Sequence, residues 1–407
     1  MEKMSLFFDH SSTTPLDPQV LEAMMPYLKG EYGNPSSHIH SLGRSALKAV
    51  DGAREETAKL INAQPDEIIF TSGATEANNM AMKGLALPRR EKGGHVLISQ
   101  VEHFSVLNGA KRLRSYGFDV SQIPVDNYGV IKLDEMERLI RPDTFLVAVM
   151  GANTEIGTIQ PIKEAVSLAK GINPGVHFHC DATSSAGWIP TDVKDTGVDS
   201  LTLSAHNFYG PKGVGALYLR QRASLEPLLD GGFQEGGRRA GTENVPGIAG
   251  LGRAAALART HMPDRLSRLG MLQERLWGGL KEKLQFLHFT GHPRERLPGH
   301  VSFWIEYAEG ESLLLMLQVK GIMAASGSAC SSNMLAGDED ELIHSHVLAA
   351  IGVPQDICSG SITFFMGKDN TREEVDYVVQ EMPGIIEKLW AMSPAYSDML
   401  KEIGTGT

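Results

Sequence analysis

The sequence predicts an α/β protein, with a large domain on a mainly parallel mixed sheet and a smaller α+β domain. Two observations carry that prediction. Between residues 66 and 220 short apolar runs alternate with longer stretches of helical period, the pattern of strands joined by crossover helices. A glycine-rich segment at 230–247, DGGFQEGGRRAGTENVPG, then interrupts the alternation.

Taken in order, DEIIF reads as a strand that leads into a helix from Ala74. HVLIS leads into the helix HFSVLNGAKRLRSYG, and TFLVAVM into IKEAVSLAKG. VHFHCDA, DSLTLSA and GALYLR follow as strands. After the glycine-rich break a long charged amphipathic helix is expected over about Arg265 to Leu284, which puts a domain junction near residue 260. Residues 15–260 would form the large domain, and 1–14 with 261–407 the small one. The small unit reads as strand HVSFWIE, a helix from Glu311, strand IMAAS, a polar loop to Asp340, helix ELIHSHVLAAIG, strand SITFFM and a last helix. Thr371 and Glu374 stand at capping-box spacing where that last helix starts.

Of the 407 residues 42% are hydrophobic and 21% charged, ordinary values for a packed globular chain. Thirty-eight Lys+Arg against 49 Asp+Glu leave a net charge of −11, with no basic run to track a phosphate backbone, so nucleic acid is excluded as an expected partner. The stretch MEKMSLFFDHSSTTPLD has no apolar region of signal-peptide length, and no later segment reaches bilayer span; the expected location is the cytoplasm, without membrane attachment. Cys180, Cys330 and Cys358 lie far apart and form no CxxC pair, against a disulfide framework or a self-contained zinc site.

Several polar residues fall where strands end. Thr71, Ser72, Gly73, Ala74 and Thr75 link a strand to a helix, where free amides suit a phosphate, although an ordinary N-cap has the same composition. Asp181 ends another strand and would suit a protonated pyridine nitrogen, or simply cap the next turn. His103 and Asn153 follow two further strands, so four polar groups converge on one rim. Cys330 lies among Gly, Ser and Ala ahead of an acidic run, with no core to fill, and reads as a nucleophilic or sulfur-carrying thiol. Cys180 and Cys358 read as structural. The pairs His38/His40, His177/His179 and His344/His346 have no nearby third ligand, and no metal is expected.

On these residues the chain resembles the NifS-like cysteine desulfurases, pyridoxal-phosphate proteins of the class V aminotransferase group. The resemblance runs from FFDHSSTTPLDPQV and YGNPSS through TSGATEANN, EHFSVL, NTEIG, DATSSAG, SAHNFYGPKGVGALY, RRAGTEN and SGSACSS to TREEVDYVV. It implies a fold-type-I homodimer with the cofactor at the subunit interface. Ala74 would then lie in the phosphate turn; Thr75, Ser204, His206 and Thr242 from the other subunit would hold the phosphate. His103 would stack on the ring, Asp181 would pair with its nitrogen, and Asn153 would lie beside it. Cys330 matches the nucleophile that takes sulfur from L-cysteine as a persulfide.

Three positions depart from the family. Asn207 stands where the family carries the lysine that binds pyridoxal phosphate as a Schiff base, and an amide cannot form that bond. Lys212 does not replace it, because the family also carries that second lysine, and it reads as structural. Thr363 stands where an arginine usually clamps the substrate carboxylate, and Ser184 where a glutamine usually supports the cofactor's phenolic oxygen. A lost acid/base removes ~10²–10⁴ in rate and a lost charge-assisted contact ~1.5–3 kcal/mol, together roughly three to six decades.

The first expectation is therefore a desulfurase-like protein of sulfur mobilisation or iron–sulfur assembly, with pyridoxal phosphate absent or held non-covalently. Cys330 would accept sulfur, or ligate a transient iron–sulfur cluster shared with a scaffold or sulfur-acceptor partner. A working desulfurase that uses free pyridoxal phosphate is the second expectation. A non-catalytic dimeric interaction protein is the third.

Overall fold

The computed structural model describes residues 5–221, 223, 225–326, 345–354 and 361–405. Three elements that no periodicity announced come first: β1 (Leu6–Phe7), α1 (Pro18–Lys29) and α2 (Ser41–Leu60). Helix α1 starts on its own cap, with Asp17 accepting from the Gln19 amide at 2.8 Å and Pro18 at the first position.

The large sheet is built from β2 (Ile68–Thr71), β3 (His95–Ser99), β4 (Asp119–Ile123), β5 (Thr144–Ala148), β6 (His177–Asp181), β7 (Ser200–Ser204) and β8 (Gly215–Leu219). Between them run α3 (Ala74–Ala86), α4 (Phe104–Ser115), α5 (Leu133–Leu139), α6 (Ile162–Ile172) and α7 (Val193–Thr196). The spatial order is β2-β8-β7-β6-β5-β3-β4, with β8 antiparallel to both neighbours and every other pairing parallel. That is the mixed, mainly parallel sheet the apolar runs predict. Helices cover it, so the central strands are buried on both faces and read as continuous apolar runs. Strand β4 lies at the edge with Asp119 exposed, and its sequence DVSQI carries no such run.

Helix α8 (Val245–Lys283) corrects the expected start at Arg265 by 20 residues. Its first turns hold Gly247, which falls in the expected glycine-rich break, and Gly250 and Gly252, at which close packing leaves no room for a side chain. A Cβ at Gly252 would come 2.4 Å from the Ala53 Cα of α2, and one at Gly250 2.9 Å from Pro211. Tertiary contact overrides local propensity here. The helix passes residue 260 without a break, its first half packed in the core of the large sheet and Leu269 to Leu280 in a second core.

That second core gathers β9 (Leu287–Phe289), β10 (His300–Ile305), α9 (Gly310–Val319), β11 (Ile322–Met323), β12 (Ser361–Phe365) and α11 (Arg372–Met392), whereas α10 (His346–Ala350) packs into the core of the large sheet through Val347 and Leu348, and α12 (Pro394–Thr405) follows α11. Strands β12, β10 and β9 form an antiparallel sheet, and β1 pairs in parallel with β11. The capping box of Thr371 and Glu374 is formed at the start of α11.

Candidate functional site

Parallel strands deliver their last residues to one edge of the sheet, and the polar residues singled out above lie along that edge. Thr71 ends β2 and Ala74 opens α3, with Ser72 and Gly73 between them. The Ser72 amide already donates to Glu76 Oε2 at 2.8 Å, and Glu76 is held by Arg239 at 2.9 Å. The amides further into this helix start have no such internal acceptor, as any helix N-terminus requires. Thr75 and Thr242 are both exposed, and Ser184 and Ser204 are buried.

Asp181 is 4% exposed at the end of β6. Its Oδ1 accepts from the Thr183 amide at 3.0 Å and its Oδ2 from Asn78 Nδ2 at 2.7 Å. Asn78, which the sequence reading missed, is the hub of this edge. The same Nδ2 reaches Ser105 Oγ at 2.8 Å, and its Oδ1 lies 3.0 Å from His179 Nε2. Ser105 in turn meets His103: its amide donates to His103 Nδ1 at 3.1 Å and its hydroxyl lies 2.8 Å from the same atom. An Nδ1 that accepts a backbone N–H places the ring proton of His103 on Nε2. One asparagine thus fixes the orientation of both Asp181 and His103.

Asn207 sits in a 3-10 turn, residues Ala205–Phe208, directly after β7. The turn is clamped by its backbone. Trp188 Nε1 donates to the Asn207 carbonyl at 2.7 Å, the Thr14 hydroxyl to the His206 carbonyl at 2.8 Å, and the Tyr209 amide to Thr14 Oγ1 at 2.6 Å. Tyr209 takes a left-handed φ of 69°, and a Cβ at Gly210 would strike Ala205 at 2.7 Å. The Asn207 side chain is 6% exposed and its Oδ1 is buried without a hydrogen-bond partner, as is Thr183 Oγ1. Burial, reinforced by Lys212, pulls the imidazole of His206 below its ordinary value. Lys212 itself is exposed.

Beside His103 lies a cavity of about 90 Å³. Asn153 and Thr363 line it, as do two carboxyls the sequence reading also missed, Glu102 and Glu155. Asn153 is engaged with its own loop, donating to the Val101 carbonyl at 3.0 Å and accepting from the Glu155 amide at 2.9 Å. Thr363 donates its hydroxyl to the Glu155 carbonyl at 2.9 Å. Burial pushes the Glu102 carboxyl up to about 8, with Asp181 adding to the rise against the hydrogen bonds from Ser99 and Met150. Burial likewise raises Glu155 to about 7, against the hydrogen bond from Ser345.

The remaining candidates are placed elsewhere. His177 and His179 share one face of β6 and both meet Ser200 Oγ, at 2.8 and 2.9 Å; burial lowers each to about 4. His40 caps α2 by accepting from the Gly43 amide at 3.1 Å. Among the described residues no group of three or more His, Cys, Asp or Glu could hold a metal ion. Cys180 is buried, which raises its thiol well above the ordinary range. Cys330, His344 and Cys358 lie outside the described residues.

Residues 6–378 match the Aminotransferase class-V family. The chain is similar to a cysteine desulfurase IscS of Methanosarcina thermophila, 47% identical over 393 residues that cover 97% of this chain and 95% of the relative. A cysteine desulfurase IscS of Dictyoglomus turgidum is 45% identical, over 96% and 97% of the two chains. Among solved structures, a NifS-like protein superposes with a TM-score of 0.87 at 36% identity, over 94% of this chain and 100% of that one.

Proposed function

The chain belongs to the class V aminotransferase family, among cysteine desulfurases, and from that premise we propose that it serves sulfur mobilisation for iron–sulfur assembly without autonomous desulfuration of its own. One observation carries this reading. Asp181 and His103 are held in orientation through Asn78 and Ser105, while the buried position that follows the neighbouring strand β7 holds an amide where the family carries an amine.

The donor set fits pyridoxal phosphate at the ring and phosphate and not at a covalent anchor. Asp181 would take the ring N–H, His103 would cover the ring, and the amides of Ala74 and Thr75 with the Ser204 hydroxyl and His206 would hold the phosphate. The unpartnered Asn207 Oδ1 and Thr183 Oγ1 leave buried polar atoms for a ligand to satisfy, since each orphan costs ~1–3 kcal/mol. When bound, the cofactor supplies an electron sink for bond cleavage in an amino acid. Asn207 cannot hold or move the proton that an amine there would carry. Thr363, engaged with the Glu155 carbonyl, offers a substrate carboxylate no charged pair.

Cys330 is the sulfur-accepting thiol in this reading. Its thiolate would attack the outer sulfur of a donor persulfide, forming Cys330 persulfide and releasing the donor as a thiolate. Pairing with a second copy belongs to the same proposal, supported by Tyr32, Ile39 and Phe233, exposed at 74, 83 and 93%. No described helix is long and apolar enough to cross a membrane. The test mixes the chain with an active cysteine desulfurase and sulfur-labelled L-cysteine. Label should appear on the chain and vanish in Cys330→Ser, whereas label that persists in that variant would refute the assignment.

A second reading, desulfuration with non-covalent pyridoxal phosphate, is favoured by His103, whose Nε2 proton lies on the side left free by Ser105. It requires alanine formation that depends on added cofactor.

A further inference from the structure

Strand β6 turns His177, His179 and Asp181 to one face, and β7 sets Ser200 opposite His179 in register. With Asn78 of α3 these side chains form an unbroken series. His177 Nε2 lies 2.8 Å from Ser200 Oγ, Ser200 Oγ 2.9 Å from His179 Nδ1, His179 Nε2 3.0 Å from Asn78 Oδ1, and Asn78 Nδ2 2.7 Å from Asp181 Oδ2. Ser200, His179 and Asn78 have no exposed surface, while His177, at the far end, is half-buried.

The direction of every bond follows from the hydrogens available. Asn78 Nδ2 directs its two hydrogens to Asp181 Oδ2 and Ser105 Oγ, so Asn78 Oδ1 faces His179 and can only accept. His179 therefore donates from Nε2. Burial lowers both imidazoles to about 4, so at neutral pH each is uncharged and carries one ring proton. With its proton on Nε2, His179 accepts the Ser200 hydroxyl at Nδ1. Ser200 Oγ has no second hydrogen, so His177 Nε2 donates to it. All four bonds point the same way, from His177 toward Asp181. The amide in the middle has no ionisable proton to pass on, so the series does not conduct protons; it transmits orientation and polarisation.

We infer that His177, Ser200 and His179 are positioning residues: through Asn78 they fix Asp181 Oδ2 as a hydrogen-bond acceptor, so that a proton shared between Asp181 and a pyridine nitrogen stays on the nitrogen. That role rests on the proposed seat of the pyridoxal phosphate ring against Asp181. A donor already on a carboxyl oxygen weakens its hold on a further proton, and bonds in series reinforce one another.

Nitrogen NMR of the isotope-labelled full chain, without cofactor, tests the direction. His177 and His179 should each show a protonated Nε2 and a bare Nδ1 at neutral pH. A proton on Nδ1 of either ring, or a charged ring, would overturn the inference. His179→Leu removes the donor to Asn78, and exchange of the Asn78 side-chain amide protons with water should quicken ~3–10-fold, the factor one neutral hydrogen bond contributes. His179→Gln, whose amide can accept from Ser200 and donate to Asn78, should restore slow exchange. His177→Leu touches neither Asn78 nor Asp181 and should quicken it by a smaller factor, which keeps the test open if His179→Leu does not fold. Exchange unmoved by the leucine variants, or not restored by glutamine, would count against the role. With labelled pyridoxal phosphate added, the ratio of protonated to bare ring nitrogen should fall ~3–10-fold in His179→Leu and recover in His179→Gln. A histidine that only fills space would leave that ratio unmoved, and this result too would sink the inference. Failure to retain the cofactor would remove the proposed function, while ring tautomers and amide exchange would still decide whether the series acts on Asp181.

Discussion

Replacing Glu102 by glutamine should change not only stability but the way stability varies with pH. Burial holds this carboxyl at about 8 in the folded chain, against an ordinary value of 4.5. Between those values the folded chain keeps a proton that the unfolded chain has released, so stability falls as pH rises, by at most ~1.4 kcal/mol per unit for one group. The contribution is fully present below the unfolded value and is lost as pH climbs toward the folded one. Glutamine does not titrate, and its carbonyl can still accept from Ser99 and Met150. Relative to the unmodified chain, Glu102→Gln should therefore gain ~2–4 kcal/mol between about pH 5 and about pH 8, the full linkage value discounted for relaxation of the buried site. Glu155, raised to about 7 in the same cavity, contributes the same sign to both chains and largely cancels in the difference. Urea unfolding at several pH values measures the gap. A difference that is flat with pH, or that shrinks as pH rises, would refute a buried, cation-free Glu102.

Other perturbations probe other parts of the frame. Asn78→Leu strands Asp181 Oδ2, Ser105 and His179 at once and should cost ~3–5 kcal/mol in urea unfolding, whereas a cost below ~1 kcal/mol would show that Asn78 is not the hub. Arg54→Met leaves Glu235 buried without its cation, which lies 2.7 Å away in the intact chain. It should also cost ~3–5 kcal/mol, while the exposed pair Lys59–Glu56 should be worth under ~1 kcal/mol by the same assay. Asn207→Lys should fold normally, because Trp188 and Thr14 hold the turn through its backbone, and should retain more pyridoxal phosphate through gel filtration than the unmodified chain. Equal retention would mean that the missing amine does not limit cofactor binding.

What could be read from the sequence was what burial writes into it. Strands β3, β5 and β7 are enclosed on both faces and announce themselves as apolar runs, while edge strand β4, with its exposed Asp119, does not. The first turns of α8 were hidden because their glycines serve contacts with Ala53 and Pro211 that only the assembled fold reveals. Within the candidate site, Asp181 and His103 stood out because one ends a strand and the other opens a helix, and Asn153 and Asn207 because each follows a strand in a recognisable stretch. Asn78 was not, since an asparagine inside a helix gives no sign that it reaches 103 residues along the chain to Asp181. Glu102 is adjacent in sequence to His103, yet its meaning lies in what is absent around it: no cation lines the cavity among the described residues. That the Thr363 hydroxyl is already engaged is a tertiary fact of the same kind.

Alanine release from L-cysteine by the purified chain, with and without added pyridoxal phosphate and beside Asn207→Lys and Cys330→Ala, bears most directly on the loss of autonomous desulfuration. The expected result is no alanine from the unmodified chain above the Cys330→Ala background in either condition. Alanine that requires both pyridoxal phosphate and Cys330 would contradict it and make the chain a working enzyme without the covalent anchor.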